Sequence, residues 1–305
     1  MELIRPDTNI DFVGKRLIAI ACSAVLILVG IVSLVAKGGP EYGIDFAGGT
    51  LLQVQIAAPT DAARVRELLK ELPLRGVSIQ QFGEGANEYL IKMQESSAEL
   101  KGVSADIQAA LEKGYGAGKV EIRRTEMVGP QVGKDLRQKG LLALLFAIVG
   151  MLIYITWRFE LRFGVGAVIA LAHDVFITIA IFSVFNLEID LTIVAALLTI
   201  IGYSVNDTVI VCDRIRENMG RHSKESLSWI INRSINETLS RTFMTSGLTL
   251  LSVTALYFFG GSVIQNFALA MLLGITVGTY SSIYVASPVI LFWESHKARR
   301  LAAAK

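Results

Sequence analysis

Residues 17–36 read LIAIACSAVLILVGIVSLVA, an uncharged run about as long as the roughly 20 apolar residues that cross a hydrocarbon core. Five further stretches share that character: Gly140 to Trp157, Phe163 to Phe185, Leu191 to Val211, Thr242 to Phe259 and Phe267 to Trp293. Composition agrees, because a chain of 305 residues that is 52% hydrophobic and 18% charged, with mean hydropathy +0.52, is too apolar for a soluble protein. The expected architecture is a polytopic α-helical membrane protein with six transmembrane helices, the first at 17–36 and the other five within 139–293.

Lys and Arg in the short loops set the orientation. Arg5, Lys15 and Arg16 precede the first helix, Arg158 and Arg162 separate the second from the third, and Lys297, Arg299 and Arg300 follow the sixth. Arg214, Arg216, Arg221, Lys224 and Arg233 lie between the fourth and fifth, whereas Asn186 to Asp190 and Gly260 to Asn266 carry no Lys or Arg. Both ends, 1–16 and 294–305, are therefore expected in the cytoplasm, and the long segment 37–138 outside. The net charge of +2 reports this topology and gives no reason to expect nucleic acid. The first helix has no small-residue cleavage site after a short apolar core, so it reads as a retained anchor. Cys22 and Cys212 are not placed for a disulfide and read as packing residues.

Within 37–138, period-2 and helical patterns take turns. Leu52, Val54 and Ile56 alternate with Gln53 and Gln55, as in a half-buried strand. Thr60 is placed to cap a helix carrying Val65, Leu68, Leu69 and Leu72, which Pro73 ends. Strands are expected at Val77 to Phe82 and Glu88 to Met93 across a turn at Gly83 to Asn87, then a helix with Leu100, Val103, Ile107 and Leu111, then a strand from Lys119 to Met127. The order βαββαβ is that of an extracytoplasmic ferredoxin-like α+β domain. That fold decides no activity by itself, and a structural or docking module is its plainest reading. GYGAGKV at 114–120 lacks the spacing of a phosphate loop and the Ser or Thr after Lys119. With no zinc-protease, nucleophile-elbow or metal-cluster pattern, the chain does not read as an enzyme, and no cofactor is expected.

Ionisable groups inside hydrocarbon cost several kcal/mol and each asks for a role. Asp207 lies in GYSVNDTVIV, with Tyr203, Ser204, Asn206 and Thr208 as hydrogen-bonding neighbours. Asp174 lies about eleven residues into the third helix, beside His173, near mid-membrane at 1.5 Å per residue. Either carboxylate can be a helix-pairing group or a functional one. Thr238, Thr242, Thr245, Thr249 and Ser252 recur at three and four, a stripe suited to hydrogen-bonded helix packing. Arg241 heads the same helix, as a snorkelling interfacial residue or as a buried partner of Asp207. Leu227, Ile230, Ile231, Ile235 and Leu239 give an apolar face to about 222–240, expected as an interfacial or connecting helix on the cytoplasmic side.

GIDFAGGT at Gly43 to Thr50, VGPQVG at Val128 to Gly133, AHD at Ala172 to Asp174, SVNDTVIVCDRIREN at Ser204 to Asn218 and NRSINETLSRTFMTS at Asn232 to Ser246 together resemble the SecD/SecF family of protein-export membrane proteins, within the resistance-nodulation-division superfamily. The resemblance spans nearly the whole chain in order and topology. It implies a multi-pass protein of the bacterial inner membrane that pairs with SecD, a homologous six-helix subunit. It also implies work beside the Sec translocon channel of SecY, SecE and SecG, with YajC and YidC as further partners and an unfolded preprotein as substrate. The family links the Asp of its NDT motif, here Asp207, and the Arg of its SRT motif, here Arg241, to proton use. Phe46, Gly48 and Gly49 match its Phe-x-Gly-Gly motif. Cys212 departs from the aromatic or aliphatic residue expected there.

The resemblance implies that the proton gradient is the energy source for completing preprotein translocation. In that reading a deprotonated Asp207 is attracted to Arg241 and a protonated one is not, and the helix packing that depends on the pair changes with it. Asp174 is the second member of the relay in that reading. Two alternatives stand beside it. Half of a small-molecule proton-coupled exporter needs larger outer domains, and a scaffold without transport leaves Asp207 and Arg241 unexplained.

Overall fold

The computed structural model describes residues 8–72, 74, 76–82, 87–93 and 100–303. Arg5, the helix stop expected at Pro73 and all of the turn expected at Gly83 to Asn87 except Asn87 lie outside these residues. In chain order the elements are helix α1 (Arg16–Lys37), a single turn α2 (Ile44–Ala47), β1 (Gly49–Ile56), α3 (Ala62–Leu69), β2 (Ser78–Gln81), β3 (Glu88–Met93), α4 (Leu100–Tyr115) and β4 (Val120–Val128). Then come α5 (Pro130–Arg158), α6 (Leu161–Val184), α7 (Leu191–Arg221), α8 (Leu227–Phe259), α9 (Ser262–Ser281), a π-helical turn at Ser282–Ala286 and α10 (Ser287–Ala303).

Six helices among the described residues are long and apolar enough to cross a membrane: α1, α5, α6, α7, α8, and the span Val263–Lys297 that joins α9 to α10 through the π turn. They extend past the apolar runs at one or both ends. At 1.5 Å per residue, the 33 residues of α8 reach about 50 Å, well beyond a hydrocarbon core of about 30 Å. α6 is the central helix, with 61% of its most apolar window buried, against 11% for α1. The outer surface is apolar, with Leu17, Val35, Phe146, Trp157, Leu251 and Phe259 all exposed.

The four strands form one sheet in the order β2-β3-β1-β4, antiparallel throughout. Leu52, Val54 and Ile56 of β1 meet Tyr89 and Ile91 of β3 and Val65, Ile107 and Leu111 of α3 and α4, all 0% exposed. The alternation in the sequence thus identifies the core face. The cap of α3 differs from expectation. Asp61 is the N-cap, its carboxylate accepting from the Arg64 amide at 2.7 Å, while the Thr60 hydroxyl pairs with that of Tyr115. A carboxylate one residue nearer the helix takes the free amide, and Thr60 is left to join the two helices.

The sheet domain sits directly on the helices. Gly129 alone separates β4 from α5, whose first helical residue is Pro130. Residues 130–138, expected to belong to the domain, are therefore the first turns of a membrane helix; proline's missing N–H costs nothing at that position. On the other side, Tyr42 bridges to Ile189, Gly43 N donates to Ile189 O at 2.9 Å, and Lys92 pairs with Glu188. The domain is thus tied to the turn between α6 and α7 as well as to α5.

The segment 222–240 is not a separate interfacial helix. From Leu227 it is the first half of α8, continuous with the fifth span. Its apolar face is satisfied by protein: Ile231 and Ile235, both 1% exposed, pack with Phe163, Ile215, Ile290 and with Phe12 and Val13 of the segment before α1. Asn232 and Asn236 hold that segment by its backbone. Asn232 Oδ1 accepts from the amides of Phe12 (2.8 Å) and Val13 (3.2 Å), and Asn236 Oδ1 accepts from Ile10 N at 2.8 Å.

Candidate functional site

Asp207 lies on α7 with 1% exposure. Its Oδ2 accepts from Ser246 Oγ on α8 at 3.1 Å, and Ser246 Oγ in turn accepts from Thr279 Oγ1 on α9 at 2.8 Å. One carboxylate oxygen therefore gathers three helices. The other, Oδ1, is buried without a hydrogen-bond partner, as is Thr242 Oγ1 one turn before Ser246. Buried polar groups are nearly always paired, so this concentration of unpaired oxygens marks the site.

Arg241 does not complete a pair with Asp207. Its side chain is exposed and, among the described residues, forms no ion pair with the carboxylate. The helical phase explains this. Five residues on a helix rotate about 140°, so when Ser246 and Thr242 face α7, Arg241 points away. It lines a cavity of about 490 Å³ at the charged end of the bundle, together with Asp213, Glu217, Glu237 and, from α5, Tyr154 and Arg158. Val209 and Ile210, the residues after Asp207 and Thr208 on α7, line the same cavity, so this polar space begins within a turn of the carboxylate.

Asp174 is 0% exposed on α6 and fully engaged. Its Oδ2 accepts from Ser204 Oγ of α7 at 2.6 Å and Ser281 Oγ of α9 at 2.8 Å, and its Oδ1 lies 3.0 Å from His173 Nδ1. Gly278 lets α9 come this close: a Cβ there would sit 3.0 Å from Ser204 Oγ and 3.5 Å from Asp174 Oδ2. The π turn starts just after Ser281, with Ser287 Oγ donating to Ser282 O at 3.1 Å. Such local widenings recur at functional sites. α7 and α9 each contribute to both carboxylate networks.

The hydroxyl stripe of α8 behaves differently from expectation. Thr238, Thr245, Thr249 and Ser252 donate to carbonyls one turn back in their own helix, at 3.0, 3.1, 2.9 and 3.1 Å. Only Thr249 also bonds across helices, accepting from Tyr203 OH at 3.2 Å. The residue that reaches the carboxylate, Ser246, lies outside the stripe. Its signal in the sequence is its place one turn after Thr242, on the face that Thr238 and Thr242 bury.

Phe46, Gly48 and Gly49 form a separate centre. Phe46, 4% exposed, inserts into the helix bundle beside Leu144, Ile193 and Leu197. Gly48 has φ 76°, and a Cβ on it would lie 2.9 Å from Pro130 Cα; a Cβ on Gly133 would lie 2.9 Å from Phe46 O. GIDFAGGT and VGPQVG are therefore two halves of one backbone-to-backbone contact. Ile193 stands fourteen residues before Asp207 on α7, about 20 Å along the helix, so the structure does not bring the two centres together.

Residues 107–296 match the family model described as "Protein export membrane protein SecD/SecF, C-terminal", and residues 32–60 match that described as "SecD/SecF GG Motif". The chain is 48% identical over 306 residues to a protein of Magnetococcus marinus named protein translocase subunit SecF, covering 99% of this chain and 98% of that one. A protein of the same name from Calditerrivibrio nitroreducens is 45% identical, covering 98% of this chain and 99% of its own. Among solved structures, the crystal structure of SecDF, a translocon-associated membrane protein from Thermus thermophilus, superposes with a TM-score of 0.85 at 37% identity. It covers 96% of this chain, which spans 40% of that longer chain. A structure of SecDF in its super-membrane-facing form gives a TM-score of 0.74 at the same 37% identity.

Proposed function

The chain belongs to the SecD/SecF family of protein-export membrane proteins, and on that footing we propose that it is a protein translocase subunit that uses the proton gradient to help complete preprotein passage across the cytoplasmic membrane. The observation that carries the coupling step is Asp207, buried at 1%, held by Ser246 and Thr279 across α7, α8 and α9, with its second oxygen free to take a proton. A proton crossing 100 mV delivers about 2.3 kcal/mol. A hydrogen bond to a charged group is worth about 1.5–3 kcal/mol, so one protonation is matched to making or releasing the Ser246 contact. The cavity holding Arg241 is the aqueous approach, and Arg241 acts there by its field and its hydration rather than as a contact partner. Asp174 is the second carboxylate of the relay.

In this reading both termini are cytoplasmic, and the four-stranded domain is a ferredoxin-like sandwich on the outer side. Because Gly129 is the only link from β4 to α5, a tilt of α5 carries the domain with it. The domain then holds or releases an emerging preprotein and stops it sliding back. The other half is a SecD-type subunit. Ala195, Thr199, Gly202 and Asn206 form an exposed stripe of small and polar residues on α7, and an outward amide at that depth needs a protein neighbour rather than lipid. The translocon channel of SecY, SecE and SecG, with YajC and YidC, completes the set of partners. Extraction in mild detergent tests this assembly. Recovery of a SecD-type subunit with channel subunits is expected, and a chain that purifies without either contradicts it.

A further inference from the structure

The hydroxyls around His173 fix where its protons sit. Tyr280 OH on α9 lies 2.7 Å from the carbonyl of Ala19, which can only accept, so the Tyr280 proton is committed there. Ser23 Oγ on α1 lies 2.9 Å from Tyr280 OH and must therefore donate to it. With its one proton spent, Ser23 Oγ can only accept from His173 Nε2, at 3.1 Å. Nε2 therefore carries a proton. On the other side of the ring, Nδ1 and Asp174 Oδ1 are 3.0 Å apart and need one proton between them, while Ser204 and Ser281 supply Oδ2.

We infer that His173 and Asp174 form a second proton-holding site, an overall neutral pair that keeps Nε2 protonated, shares one proton between Nδ1 and Oδ1, and fastens α1 to the helix bundle. Transfer of that proton from Oδ1 to Nδ1 turns acid and imidazole into carboxylate and imidazolium, leaving the total charge at zero. Its removal to solvent leaves one negative charge. Among the described residues, the polar groups facing the pair are the hydroxyls of Ser23 on α1, Ser204 on α7 and Ser281 on α9, and the one titratable group beside it is Tyr280, whose ring stacks on His173 at 6.1 Å. His173 is the only basic side chain within ion-pairing distance of Asp174 among the described residues. The fastening matters because α1 is so little buried. Its other ties to α6 are Gly30 against Ala180, Ser33 Oγ with Ser183 Oγ at 2.9 Å, and Lys37 with the Ser183 carbonyl. This rests on the geometry around His173 alone and stands whether or not the export reading holds.

The chain has three histidines, so nitrogen-15 labelling of histidine in the full chain in lipid nanodiscs resolves this one, with His222→Gln and His296→Gln to assign the signals. A directly bonded proton on His173 Nε2, read from its one-bond nitrogen–proton coupling, is the expected result. A bare Nε2 overturns the inference. In Tyr280→Phe the Ser23 proton is released from its duty and can turn to the ring, so a fraction of His173 with unprotonated Nε2 should appear. If the Phe variant keeps Nε2 fully protonated, the relay of directed hydrogen bonds does not set the tautomer and the inference fails.

Discussion

Asp207 combines two things that seldom coexist at a residue buried in a membrane protein: a single hydroxyl donor on one oxygen and none on the other. Removing that donor in Ser246→Ala leaves the carboxylate without a partner in the described structure. A charge-assisted hydrogen bond of about 1.5–3 kcal/mol is lost, so gradient-driven export by the reconstituted complex should fall by about tenfold or more. Gradient-independent export should be unchanged, which a comparison of rates with and without a protonophore would establish. Arg241 makes a different prediction. Because it is exposed to a polar cavity and not docked on Asp207, Arg241→Lys should retain most activity, whereas Arg241→Met, which removes the charge, should not. Loss of activity in the Lys variant would mean that the guanidinium shape, and hence a buried contact, is required.

The elements carry their own tests. At Gly48, φ 76° is a conformation that side chains resist, and the Cβ of any replacement would meet the backbone of Pro130 at 2.9 Å. Gly48→Ala should destabilise the junction of domain and α5 by about 1–3 kcal/mol, read as a lower melting temperature and faster proteolysis of the domain in the full chain. Paired valines at Gly48 and Gly49 should do so more severely, and any export defect there follows from a loosened junction. On α8, Asn232→Ala frees the amides of Phe12 and Val13, and their hydrogen exchange should quicken roughly tenfold while that of the α7 core is unchanged. The apolar runs made the six spans legible, and alternation against helical spacing made the strand and helix order of the domain legible. The helix ends were not, because Pro130 to Lys139 and Leu227 to Arg241 are polar enough to read as domain or surface while being held helical by neighbours that only the fold supplies. The clasp of Asn232 and Asn236 on residues 10–13 joins positions more than two hundred apart, which no local pattern signals.

At the scale of the whole molecule, a carboxylate network across α7, α8 and α9 and a domain braced on α5 and on the α6–α7 turn are joined by the rigid helices between them. The sequence singled out both aspartates from the cost of burying charge, and the structure buries both. The sequence left Arg241 open between an interfacial residue and a buried partner of Asp207, and gave no direct sign of Ser246, which helical phase brings inward while it turns Arg241 outward. The central claim is that Asp207 changes its protonation during the work cycle. Asp207→Asn preserves size and can still accept from Ser246, but it cannot change charge. Export should be measured in membrane vesicles containing the assembled complex, with and without an imposed proton gradient. The account predicts that the Asn variant assembles, keeps its gradient-independent export and loses the acceleration that the gradient confers. The same acceleration in Asp207→Asn as in the unaltered chain would contradict it.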